Sequence, residues 1–93
     1  MIRELRVNGM TRPDNIPPDE ICLSWQADGE NQFTVEMTEY PDWHGTILYT
    51  DTRNHYLRYD GFPVRGEQTL YWRVRSGIGE WAMSSFTTGR REK

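Results

Sequence analysis

The chain has 93 residues, of which 35% are hydrophobic and 13% aromatic, and its net charge is −3. That length supports one domain whose core rests on a few large rings, with little room for a deep enzymatic pocket beside it. The small net charge leaves no electrostatic footprint for nucleic acid, and no segment approaches a membrane span.

Period-two alternation recurs along the chain, whereas helical periodicity does not. Residues 2–7 form a first short strand with Leu5 and Val7 inward. Charges interrupt this N-terminal stretch where a signal peptide would be continuously apolar, so a cytoplasmic location is expected. Residues 9–20 carry Pro13, Pro17 and Pro18 and read as a connection that cannot join a central ladder. In the second strand Ile21, Leu23 and Trp25 alternate with Cys22, Ser24 and Gln26. Asp28-Gly29 supplies its turn. Phe33, Val35 and Met37 face inward on a third strand that runs out near Tyr40-Pro41.

Residues 46–50 make a fourth strand, with either Ile47 and Tyr49 or Leu48 inward. His55, Leu57 and Tyr59 belong to a fifth, broken by Asp60-Gly61-Phe62-Pro63. Leu70, Trp72 and Val74 share one face of a sixth strand, and Tyr71, Arg73 and Arg75 the other. After a turn at Gly77 to Gly79, a seventh strand carries Trp81 and Phe86. The expected fold is therefore an all-β, seven-stranded antiparallel sandwich over residues 1–89, followed by a charged tail or linker start at 90–93. Its expected core is Leu23, Trp25, Phe33, Val35, Leu57, Trp72, Val74, Trp81 and Phe86.

Chemistry-bearing patterns are sparse. There is no serine triad signature, no glycine-rich phosphate loop and no paired-cysteine motif, so no cofactor is expected. Cys22 is the single cysteine, cannot form an intrachain disulfide, and lies on the outward parity of its strand without an activating neighbour. Asp42 with Asp51, or Glu36 with Glu39, could make a glycosidase-type pair. Carboxylates on turns and outward faces of a small sandwich are ordinarily just solvated, and no catalytic residue is assigned. Asp42, His44 and His55 lack a recognised ligand spacing, so no metal site is assigned either. Arg58, Arg73 and Arg75 read as a basic stripe or as cross-strand partners of Glu36 or Glu67, the pairing being favoured. Tyr40, Trp43, Tyr49 and Tyr56 are the candidates for interface or sugar contact, because flat rings both stack on sugars and anchor interfaces. For Trp43, docking against another domain, capping of the local core and sugar contact all stay open.

Leu5-Arg6-Val7-Asn8-Gly9, Leu23-Ser24-Trp25-Gln26, Tyr71-Trp72-Arg73-Val74-Arg75, Trp81 and Phe86-Thr87-Thr88-Gly89 occur in this order. The series resembles the N-terminal fibronectin type III-like module of bacterial α-L-rhamnosidases, over nearly the whole chain. Trp43-His44-Gly45 stands for that family's Trp-x-Ser-Gly element, within a middle section shorter than the pattern. Leu70 occupies the place where such modules often put a tyrosine that pins the preceding corner. The resemblance implies an immunoglobulin-like sandwich acting as a non-catalytic accessory module of a multidomain glycoside hydrolase. Its partners would be the following domains of the same polypeptide. Rhamnoside hydrolysis in that family takes place in a separate helical barrel, and no residue here matches its catalytic positions. Two rivals remain, a carbohydrate-binding sandwich and a type III protein-interaction module. An aromatic row on one exposed face favours the sugar reading, and aromatics gathered at one end beside the tail favour docking.

Overall fold

A computed structural model describes residues 2–60 and 64–89. Most of the break expected at Asp60 to Pro63, and the tail expected at 90–93, lie outside the described residues. The seven strands are β1 (Ile2–Val7), β2 (Cys22–Ala27), β3 (Phe33–Thr38), β4 (Leu48–Thr52), β5 (Tyr56–Arg58), β6 (Thr69–Arg75) and β7 (Ala82–Thr87). They form two antiparallel sheets, a three-stranded one in the order β1-β2-β5 and a four-stranded one in the order β4-β3-β6-β7. This is the expected seven-stranded sandwich.

Alternation decides what each sheet buries. Leu23 and Trp25 of β2 meet Phe33, Val35 and Met37 of β3 and Leu70, Trp72 and Val74 of β6, all essentially inaccessible to water. Trp25 is the ring that joins the layers. It meets Phe33 edge-on at 5.5 Å between centroids and Trp72 at 6.4 Å with a tilt of 53°. Rings of this size each remove roughly 150–250 Å² from water. The indole N–H groups of Trp25 and Trp72 are buried without an acceptor among the described residues, a cost of about 1–3 kcal/mol each that the ring burial must offset.

Four readings are corrected. Trp81 is not a core residue. It is half-buried, and it precedes Ala82, which pairs with Val74 and therefore faces inward. Trp81 and Phe86 are an odd number of positions apart, so an unbroken strand sends them to opposite faces. Leu57 packs against the core but is only partly buried, because β5 is a short edge strand. β4 runs from Leu48 to Thr52 rather than over residues 46–50, with Leu48 turned inward and Tyr49 exposed. β5 likewise shrinks to Tyr56–Arg58, leaving His55 just before it, where its ring packs edge-on against Phe33 at 5.1 Å.

The proline-bearing connection does more than cross the end of the sandwich. Thr87 N–H donates to the Pro13 carbonyl at 2.9 Å, Ile16 N–H to the Thr87 carbonyl at 3.1 Å and Gly89 N–H to the Ile16 carbonyl at 2.8 Å. The segment thus lies along the end of β7 and plugs the core with Ile16, which is fully buried. Proline is tolerated because only its carbonyl is used, at a sheet edge.

With Leu70 buried in the core, the corner before β6 is pinned instead by Thr88. Its hydroxyl donates to the Arg65 carbonyl at 2.7 Å and accepts from the Gln68 N–H at 2.9 Å. The Gln68 side chain accepts from Arg65 N–H at 3.1 Å and donates to Glu39 at 2.9 Å.

These environments order the effects of substitution. Trp72→Ala is expected to cost about 3–5 kcal/mol by loss of burial and creation of a cavity. Trp81→Ala should cost about 1–2 kcal/mol, mainly through lost stacking. Cys22→Ser, on an exposed position, should stay within about 0.5 kcal/mol. Urea unfolding of the three variants checks the ranking, and a Trp81 loss equal to that of Trp72 would restore Trp81 to the core.

Candidate functional site

Because Leu70, Trp72 and Val74 point inward, Tyr71, Arg73 and Arg75 stand on the outer face of the four-stranded sheet. Cross-strand register sets Arg73 beside Glu36 of β3 on one side and Met83 of β7 on the other, with Tyr49 of β4 next to Glu36. Arg73 donates from both Nε and Nη2 to one Glu36 oxygen, at 2.9 and 2.6 Å. Glu36 is 8% exposed, so this pair is far less screened than an ordinary surface ion pair.

The guanidinium is held from two more directions. Its central carbon lies 4.0 Å from the ring centroid of Trp43 and 4.3 Å from that of Trp81. Arg75 adds a second cation at 4.4 Å from Trp81. A planar, weakly hydrated guanidinium suits such a place, because its faces stack on indoles while its edge still donates to a carboxylate.

Trp43 reaches Arg73 from the β3–β4 loop through a strained turn. Its N–H donates to the Tyr40 carbonyl at 3.1 Å, and its own φ is 58°. A left-handed tryptophan costs roughly 1–2 kcal/mol, which the stacking on Arg73 helps to offset. The turn is fastened by its neighbours. Thr38 donates its hydroxyl to the Gly45 carbonyl and accepts from the Tyr40 N–H at 3.1 Å. His44 Nδ1 lies 2.5 Å from Asp42 Oδ1, and its ring stacks on Tyr40 at 3.7 Å between centroids. The His44 contact holds the Asp42 carboxyl below the usual aspartate range.

The four ring candidates are not brought together. Trp43 and Tyr49 belong to this outer face, and Tyr40 lies in the adjoining loop against His44. Tyr56 pairs with Ser24 on the other sheet, on the opposite side of the sandwich. Arg58, beside Cys22 on that sheet, is likewise separated from Arg73 and Arg75. Sequence reasoning missed Trp81 and Met83 as members of the face, although the odd spacing from Phe86 carried the signal for both.

The acidic pairs are dispersed into local contacts. Glu36 serves Arg73, Glu39 accepts from Gln68 and Asp51 accepts from the Thr34 hydroxyl at 2.7 Å. Among the described residues no three His, Cys, Asp or Glu side chains gather as metal ligands would. Beside the stacked rings, Pro41, Trp43, Tyr71, Met83 and Ser85 line an open groove.

No protein-family model and no curated protein matches this chain. Among solved structures it is similar to an α-L-rhamnosidase from Dictyoglumus thermophilum, with a TM-score of 0.81 and 14% sequence identity. The match covers 99% of this chain and 12% of that one. At this identity the likeness is one of fold, and this chain spans about an eighth of that protein's length.

The geometry predicts asymmetric costs at the ion pair. Arg73→Met leaves a nearly buried carboxylate without its cation and should destabilise by about 2–4 kcal/mol. Adding Glu36→Met should restore part of the loss, since both charges are then gone. Urea unfolding of the two single variants and the double variant measures the coupling. Strictly additive losses would show that the pair does not act as one unit.

Proposed function

We propose that this domain is a fibronectin type III-like, non-catalytic accessory module of a multidomain glycoside hydrolase of the α-L-rhamnosidase type. The observation that carries this reading is the fit of 99% of the chain to 12% of a solved rhamnosidase chain. The order of strands in the two sheets supports the type III assignment. Each of the carboxylates considered for catalysis is engaged by a neighbour rather than aimed with a second into a cleft.

The work of such a module is packing. On the outer face of the four-stranded sheet, Tyr49 and Met83 are 64% and 61% exposed beside rings already locked by Arg73. Side chains immobilised before docking lose less entropy on association, which favours an interface with another domain of the same polypeptide. Sugar stacking needs a free ring face, and the cations reduce what is on offer: Trp81 is met by both Arg73 and Arg75, and Trp43 gives one face to Arg73. The remaining exposed tyrosines do not form a row on that face.

Calorimetric titration of the isolated chain with rhamnose and rhamnosyl oligosaccharides should show no saturable heat. A chromogenic rhamnoside should not turn over. In the longer polypeptide, oxidative footprinting should find Met83 and Trp81 protected relative to the isolated domain. Saturable sugar binding lost on Trp43→Ala would instead establish a carbohydrate-binding sandwich.

A further inference from the structure

The two open sheets present four edges, and three of them are guarded. β1 carries exposed Arg3, Glu4 and Arg6 and breaks its register with β2 at a left-handed Glu4, whose φ is 54°. β5 is only three residues long and includes Arg58. β7 is covered at its end by the segment from Pro13 to Ile16, and Arg6 and Arg12 flank Met83 and Ser84 on its other half. Among the described residues β4 has a single charge, Asp51, one oxygen of which accepts from Thr34, and none of the other devices. Its five residues, Leu48-Tyr49-Thr50-Asp51-Thr52, contain no proline, lysine or positive φ, and they pair with β3 in unbroken register. An edge strand of this kind offers its outer N–H and C=O groups to another strand.

We propose that β4 is a self-pairing edge, through which two copies of this chain join their four-stranded sheets into one continuous antiparallel sheet. The strand is complementary to itself about Thr50. A two-fold axis there sets Thr50 against Thr50, Leu48 against Thr52 and Tyr49 against Asp51. Tyr49 and Asp51 share the exposed face of the strand, so each phenol meets a carboxylate and the two like charges never stand opposite each other. One oxygen of Asp51 accepts from Thr34, which leaves the other for the phenol. Leu48, Thr50 and Thr52 are half-buried at the open end of the core and would be covered by the same contact. Threonine pairs are favourable in this position. A closed two-fold interface also consumes both edges and stops growth at the dimer.

Sedimentation equilibrium of the isolated chain up to about 1 mM tests the proposal, a range that captures the weak affinities expected of a small interface. The expected result is a reversible monomer–dimer equilibrium. Thr50→Lys and Thr50→Asp each place like charges across the two-fold axis and should weaken dimerisation about tenfold. Mixing the two variants should restore it as a heterodimer. A parent chain that stays monomeric at 1 mM overturns self-pairing and leaves the edge to a foreign strand. Dimerisation that neither variant weakens overturns the assignment to β4.

Discussion

The contact between Trp25 and Trp72 is the constraint on which the rest of the molecule depends. It joins the three-stranded sheet to the four-stranded one, and it fixes Trp72 inward on the strand that lies next to the middle of the larger sheet. Once Trp72 is inward, alternation leaves Arg73 no choice of side. The outer face is therefore a consequence of the core. A one-residue slip of β6 would bury a guanidinium and expose an indole, and the cost of both errors is what holds the register.

Around Arg73 the molecule combines two interactions that are weak separately. An exposed ion pair is worth little, and a stacked cation on an exposed ring not much more. Here the carboxylate is nearly buried and the guanidinium has an indole from the β3–β4 loop and another from the residue just before β7. One side chain thus ties together β3, β6, β7 and the loop carrying Trp43. This also accounts for the left-handed backbone at Trp43, a conformation that tryptophan has no local reason to adopt. The same stack makes the face rigid and partly occupies its rings.

Much of the fold was legible because alternation and burial coincide. Leu23 with Trp25, Phe33 with Val35 and Trp72 with Val74 could each be assigned to the core from parity alone. The failures came where parity was not applied or did not suffice. Trp81 reads as a core ring sharing the parity of Phe86, whereas the odd distance between the two sends it to the other face. Ile16 was invisible because a segment held by hydrogen bonds to a strand end has no periodicity of its own. Of the site, Trp43 and the pairing of Arg73 with Glu36 were readable, the second from charge complementarity on neighbouring strands. That Trp43 and Trp81 would converge on Arg73 was not, since it depends on a loop conformation rather than on strand geometry.

The most direct test of this account is the environment of the Arg73 side chain in solution. Two indoles within stacking distance must shield the protons beside its guanidinium, and a charge-assisted bond to Glu36 must slow rotation and exchange at Nε. Heteronuclear NMR with selective assignment of Arg73 should therefore find its side-chain resonances displaced upfield, with a resolved Nε–H signal. Both features should diminish on Trp81→Ala while the Trp72 signals stay in place. Arginine resonances at unstructured positions, or a Trp72 environment that collapses along with Trp81, would contradict the division of these rings between core and outer face.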